Sequence, residues 1–416
     1  MSNELSRRSV LLGMGGGVAA LGLSGCSSDG SAKLGATAAA CDMSQTVEFR
    51  GDHQSGILTP AQQQMIMVAF DMVATRKEDL IKLLTDWTLA AERMQSGDPV
   101  NDPKVRDDVP PDDTGEAMGL EPASLSITFG FGASLFDKFN MQHRCPKTLT
   151  KGIPRMAAEK LDPTKGSTDL VVQICAEDPM VVLHAMHQFK RLAFGLASVR
   201  WMQLGYGRTS STSKDQETPR NFFGFKDGTS NIKAEDTDEE LNKHLWIQPE
   251  DDGGDWAAGG SYLCIRKIHM MMEVWDELVL SEQEKTIGRN KLEGAPLSGG
   301  EEFTDPNFTA TGDDGAPLID VDSHVAIVHP DHNGGHRILR RGYNYTEGLT
   351  DLGRLDAGLF FIAYVRDPAE SFIPILQRMA TDQMTEYLQH TASAMYIMPP
   401  GIGKNDSYVG QKLLES

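Results

Sequence analysis

Three groups of residues in this 416-residue chain have types and spacings that could do chemistry. The first is NFFGFKDGTSN, Asn221 to Asn231, where a single carboxylate, Asp227, follows Phe222, Phe223 and Phe225. Gly224 lies three positions before it and Gly228 directly after it. Asp-Gly is a good turn pair because both residues tolerate positive φ. The same glycines and aromatics would also let something flat and apolar approach closely. Apolar surroundings disfavour the ionised form of a carboxylate. On this run alone the turn is the stronger reading.

The second group is a run of histidines in DSHVAIVHPDHNGGHR: His324, His329, His332 and His336. Loop histidines are more often solvated than metal-bound. His324 differs because it precedes the apolar run Val325–Val328, which predicts a strand start with the side chain held. His184 and His187, three apart in a helical pattern, could share a metal, but no third ligand is suggested nearby, and a partly exposed helix face is the simpler reading. The third group is Arg340 and Arg341 in ILRRGYNY. Period-two alternation sends them to opposite faces, so at most one reaches a given pocket. The plain alternative is a pair of surface charges.

The elements that must position these groups form a repeating pattern. QQQMIMVAFDM, SLSITFGFG, DLVVQICA and ASVRWMQLGYG read as strands. RKEDLIKLLTDWTLAAERM and PMVVLHAMHQFKRLAFGL read as amphipathic helices, the second opened by Pro179. The second half repeats the pattern. GSYLCIRKIHMMM, RILRRGYNY, GLFFIAYV and SAMYIMP are strand-like, while VWDELVLSEQEKTIG and SFIPILQRMATDQMTEYLQH are helical. Two β-α-β-β-α-β units imply an α+β fold, a duplicated ferredoxin-like arrangement with antiparallel sheets and helices on the outside. The expected organisation is a targeting segment and tether over 1–46, an N-terminal domain over 47–220 and a C-terminal domain over 221–416. The stretch from Glu282 to His336 is rich in Gly, Asp and Pro, and loops this long inside compact domains are usually functional or disordered.

A formal net charge of −20 counts against nucleic acids and anionic membrane surfaces as partners. The first residues resemble a twin-arginine export signal: Arg7 and Arg8 precede a stretch too short and too glycine-rich for a good membrane-spanning helix. Leu23–Cys26, LSGC, resembles a lipobox that would lipidate Cys26; cleavage near Ala36–Ala40 is the alternative. Export to the periplasm or cell envelope is the expectation, and the route fits a protein that takes up a cofactor before transport. Five cysteines without a C-x-x-C pair argue against a zinc ribbon or thioredoxin-like site. Cys175 and Cys264 sit in apolar strand-like runs and read as packing residues.

The order GFKDG, DSH, LRRGY resembles the dye-decolorising peroxidase family, most closely its exported, iron-uptake-associated subgroup, whose members are also described as deferrochelatases. FRGDHQSGI, GGSYLCIRKI, VWD, EQEKTIGR, GAPLSGG and GLFFIAYV are similar too, so the likeness covers nearly all of the chain after the tether. The resemblance implies one haem b per chain, with His324 as the proximal iron ligand and Asp227 and Arg340 on the opposite, distal face. It places Gly228, Thr229 and Ser230 along the haem border, and His329, Pro330 and Asp331 at a second haem edge. It implies hydrogen peroxide and small organic or porphyrin substrates, iron-uptake partner proteins and a homodimer. A neutral imidazole is a suitable axial ligand, and its second nitrogen needs an acceptor that the sequence does not identify. An aspartate as the distal acid–base group would favour an acidic optimum. The alternative role is a haem-handling protein that releases iron. Trp201, Trp246, Trp256, Tyr262 and Tyr343 could relay electrons from bulky substrates, though core or loop packing is the commoner role for such residues.

Overall fold

The computed structural model describes residues 42–101, 108–157 and 159–415. The twin-arginine pair, Cys26, Cys41 and most of the tether lie outside the described residues.

Among the described residues the apolar runs form nine strands: β1 (Gln64–Met72), β2 (Ser126–Phe131), β3 (Leu170–Ala176), β4 (Ala197–Arg208), β5 (Ser261–Met270), β6 (Leu339–Arg340), β7 (Tyr343–Leu349), β8 (Leu355–Val365) and β9 (Leu388–Met398). Their order is β5-β9-β2-β3-β1-β4-β7-β8-β6, and β8 also pairs with β5. Eight strands therefore close on themselves, with the two-residue β6 attached to β8. All pairings are antiparallel. Within the first half the order is β4-β1-β3-β2, and within the second β9-β5-β8-β7. The halves join at two narrow seams, Phe131 opposite Ile397, and Tyr206 and Arg208 opposite Asn344 and Tyr343.

Closure explains why many strands are apolar on both faces. One face of β1, β5 and β8 points into the closed sheet, where Met65, Met67, Ile265, Phe360, Ile362 and Tyr364 share a core. The other face of the first half packs under two long helices. Lys77–Gln95 presents Leu80, Leu83, Leu84, Trp87, Ala91 and Met94 at helical spacing. Pro179–Leu192 begins with Pro179, and the Asp178 carboxylate accepts from the N–H groups of Met180 and Val181.

The second half departs from the sequence reading in its helices and in one strand. The stretch around Val274–Gly288 is two helices, Met272–Asp276 and Leu280–Ile287, and the run Ser371–His390 is α-helical only over Phe372–Arg378, with 3₁₀ turns over Met379–Thr381 and Gln383–Tyr387. Asp382 interrupts that run: its carboxylate accepts from the Met384 N–H and starts a separate 3₁₀ turn, after which Leu388–His390 already belong to β9. His324 opens a five-residue helix, His324–Val328, rather than a strand; Pro330, two residues beyond, prevents its continuation. ILRRGYNY is two strands, broken at Arg341 and Gly342.

Other sequence expectations are also settled by packing. Cys175 and Cys264 are free and fully buried. Trp201, Trp246, Trp256, Tyr262 and Tyr343 are all buried, which is packing rather than a surface for electron entry. His184 is buried and His187 half-exposed; their Nδ1 atoms lie 2.8 and 2.6 Å from the two oxygens of Glu116. Among the described residues no cluster of His, Cys, Asp and Glu is arranged to hold a metal ion.

Candidate active site

The turn in NFFGFKDGTSN lies earlier than the Asp-Gly pair suggests. Arg220 and Lys226 form an isolated antiparallel bridge, the Asn221 side chain accepts from the Phe223 N–H, and Gly224 takes φ +81°. The chain thus reverses over Phe222–Gly224, and Asp227 stands on the return limb, its N–H held by the Pro219 carbonyl at 2.9 Å. Gly228 also has positive φ, +91°, and a Cβ there would come within 3.0 Å of the Ser210 backbone. The missing Cβ thus permits close approach of two chain segments. Phe223 and Phe225 are buried and line a cavity; Phe222 is not in its wall.

That cavity encloses about 1540 Å³, its open mouth included. Its floor is the sheet face of the second half, Ile268, Met270, Leu359, Phe361 and Leu388, and its cover is the short helices and loops. Asp227, Gly228, Thr229, Ser230, His324, His329, Pro330 and Arg340 all line it, although more than a hundred residues separate the first from the last. Asp331 does not; its carboxylate is 73% exposed, 3.6 Å from His329 Nδ1. The Glu282–His336 stretch contributes Ile287, Arg289, His324, Val325, Val328, His329, Pro330 and His336 to the wall.

Asp227 and Arg340 form an ion pair, with Arg340 Nη1 donating to Asp227 Oδ1 at 2.8 Å. Asn221 Nδ2 is 3.3 Å from Asp227 Oδ2, so that oxygen keeps hydrogen-bonding capacity. Arg341 points the other way, as alternation requires. It is completely buried and donates to the Thr59 carbonyl and to Gln62, so neither arginine is a simple surface charge. Lys226 pairs with Glu302, which also accepts from Thr229 at 3.2 Å and ties this wall to the long loop. Arg289, largely buried, donates through Nη1 to the carbonyls of Gly294 and Glu302. Burial lowers its pKa against the pull of Glu302.

His324 Nδ1 lies 2.6 Å from Oδ2 of Asp382, whose side chain is wholly buried. Burial opposes the imidazolium, but the charge and hydrogen bond of Asp382 outweigh it, and the His324 pKa is raised. The contact leaves Nε2 of the same ring free to act as a ligand. His329 is shifted the other way, mainly by burial.

Four residues of this site were not singled out in the sequence. Asp382 sits in a run that reads as continuous helix; an aspartate able to cap the turn Asp-Gln-Met-Thr was the available signal. Asn231 closes the NFFGFKDGTSN run and hydrogen-bonds the backbone of Arg340. Arg266 and His390 occupy cavity-facing positions of β5 and β9 where aliphatic residues are the norm. Arg266 Nε donates to His390 Nδ1 at 3.0 Å and its guanidinium pairs with the buried Glu159.

Residues 54–207 match the family described as Dyp-type peroxidase, N-terminal, and residues 218–403 match Dyp-type peroxidase, C-terminal. The chain belongs to the Dyp-type peroxidases, oxidoreductases that act on hydrogen peroxide and organic substrates, with haem as the implied cofactor. It is 35% identical over 427 aligned positions to a deferrochelatase of Yersinia pseudotuberculosis, covering 99% of this chain and 95% of the relative. Among solved structures it is similar to ferric DtpA from Streptomyces lividans, with 35% identity, a TM-score of 0.82 and coverage of 90% of this chain and 98% of that one. A DyP-type peroxidase from Cellulomonas bogoriensis is similar at 34% identity and a TM-score of 0.79, covering 90% and 99%.

Proposed function

We propose that this protein is a haem b peroxidase in which His324 ligates the iron and Asp227 and Arg340 act on peroxide at the opposite face. One observation carries the reading: a histidine fixed through Nδ1 by a buried carboxylate lines the same cavity as a carboxylate–guanidinium pair. The apolar walls and the free Nε2 of His324 suit a flat, largely apolar cofactor held by one nitrogen. Asp382 would fix the ring orientation and make Nε2 a stronger donor. Gly228, Thr229, Ser230, His329 and Pro330 would border the cofactor, while Asp331, exposed outside the wall, is not given that role.

Haem, when bound, supplies a redox iron that takes electrons from organic donors and delivers them to peroxide. Asp227 Oδ2 would accept a proton from one peroxide oxygen and return it to the other, a transfer typically worth roughly 10²–10⁴ in rate. The Arg340 guanidinium, fixed beside Asp227, would stabilise negative charge as the O–O bond breaks. Asp227→Asn and Arg340→Leu should each bind haem with an intact Soret band and react with peroxide more slowly by that order. Parent-like rates in both variants would sink the assignment.

The name of the Yersinia relative favours a second reading, a deferrochelatase that frees iron from haem with the porphyrin intact. Iron release measured without peroxide, in the parent and in Asp227→Asn, separates the two: a chelatase has no requirement for the distal pair. The strand order within each half supports a duplicated ferredoxin-like ancestry, with units over 47–220 and 221–416. Export by the twin-arginine route, lipidation at Cys26, a homodimer and a place among iron-uptake proteins complete the proposal; each rests on the sequence resemblance.

A further inference from the structure

The distal arginine is borne by the shortest strand in the sheet. Among the described residues β6, two residues long, pairs only with β8, where Leu339 and Arg340 face Tyr364 and Ala363. The neighbouring Arg341 N–H bonds to the Ile362 carbonyl on that side. In an antiparallel strand alternate residues turn their N–H and C=O groups to opposite edges, so the peptide groups of Arg340 face away from β8, where no strand of the described residues adjoins. The Asn231 side chain takes both. Its Oδ1 accepts the Arg340 N–H at 2.7 Å, and its Nδ2 donates to the Arg340 carbonyl at 2.8 Å. The amide is itself anchored, since Nδ2 also donates to the Ser211 carbonyl at 3.0 Å and Asn231 is buried. The buried Lys233 donates to that same carbonyl at 2.6 Å.

We infer that Asn231 is the positioning residue for Arg340: its side chain replaces the missing ladder partner and sets where the guanidinium meets Asp227. The inference rests on the peroxidase reading for its kinetic consequence, though not for its geometry. The segment Asp227–Asn231 thereby grips Arg340 at both ends, by a carboxylate at the guanidinium and by an amide at the backbone. An error of even 1 Å in such a placement can cost about 100-fold in rate.

The test uses Asn231→Ala and Asn231→Asp in the haem-loaded, full-length protein, with amide hydrogen exchange of the haem-free protein alongside. Asn231→Ala should retain haem stoichiometry and Soret position, release protection at the Arg340 amide but not across β5, and slow the peroxide reaction by about 10- to 100-fold. Asn231→Asp keeps the acceptor for the Arg340 N–H and should fall between the parent and Asn231→Ala. Because Asn231 acts through Arg340, the double variant Asn231→Ala/Arg340→Leu should be no slower than Arg340→Leu alone. A parent-like peroxide rate in Asn231→Ala, or a fully additive double variant, would reduce Asn231 to structural glue and overturn the inference. If Arg340→Leu itself reacts like the parent, the distal reading fails instead. The Arg340 amide still decides: unchanged protection in Asn231→Ala sinks the positioning role on its own.

Discussion

The two halves of the closed sheet run equivalent strand orders and use the space above the sheet in opposite ways. Above β1, β2 and β3 lie two long helices, Lys77–Gln95 and Pro179–Leu192, and the gap is filled by Ile66, Val68, Phe70, Phe129, Trp87 and Phe189. Above β5, β8 and β9 the cover is Met272–Asp276, Leu280–Ile287, His324–Val328 and Phe372–Arg378 joined by loops. Short helices cannot present a continuous ridge of side chains to a sheet, so the equivalent space remains open as the cavity. The composition of the floor differs accordingly. The first half has Ile, Val and Phe facing its helices, whereas the second places Arg266 and His390 among its apolar residues. The pocket lies where the same strand order carries shorter covering helices.

The comparison can be broken most sharply at His324. His324→Ala should remove the nitrogen ligand and with it tight haem binding, read by titrating haem against the Soret band. Unchanged binding would move the ligand to His329 or elsewhere. The first half offers the converse. Trp87 is buried against Phe70, Phe129 and Phe189, and its indole N–H bonds to the Phe189 carbonyl at 3.1 Å. Trp87→Ala should cost roughly 3–5 kcal/mol of stability, seen in denaturant unfolding, while haem bound per folded molecule and peroxide rate per haem stay as in the parent. A loss of peroxide rate in the folded variant would show that the halves are coupled.

A smaller effect should come from Asp382→Asn, which removes the carboxylate behind His324. Haem affinity or peroxide reactivity should fall by about 10- to 100-fold, with a changed iron spectrum and little change in unfolding of the haem-free protein.

The smallest concerns the polar floor. Burial, reinforced by the charge of Arg266, lowers the His390 pKa from 6.5 to about 3. An unfolded chain takes up that proton near pH 6.5 and the folded one does not, so this contribution to stability is present above pH 6.5 and is lost as the pH falls towards 3. His390→Gln, whose side-chain oxygen can still accept from Arg266 Nε, should flatten that part of the stability–pH curve of the haem-free protein. An identical slope in the two proteins would assign the acid sensitivity to other groups.

The sequence alone was informative where periodicity is local. The first-half helices and all of its strands follow from apolar spacing and from Pro179, because long amphipathic elements outweigh their surroundings. The candidate site was legible as an order of short runs, through the resemblance of GFKDG, DSH and LRRGY, more than through any one residue. Asp382 and Asn231 were not legible in the same way. Each acts on a residue 58 or 109 positions away, and nothing in their local runs encodes the distance. An apolar run of four residues after His324 satisfies either period, so the sequence alone does not separate strand from the helix His324–Val328.

What the sequence determined by itself was the alternation that sends Arg340 and Arg341 to opposite faces, the long helices of the first half and the presence of a carboxylate, a histidine and an arginine in a telling order. The tertiary structure decided that Asp227 and Arg340 touch, that Asp382 stands behind His324 and that Asn231 completes the edge of β6. Those contacts bridge long stretches of chain, and the apolar burial around them has to offset the cost of desolvating their charged and polar groups.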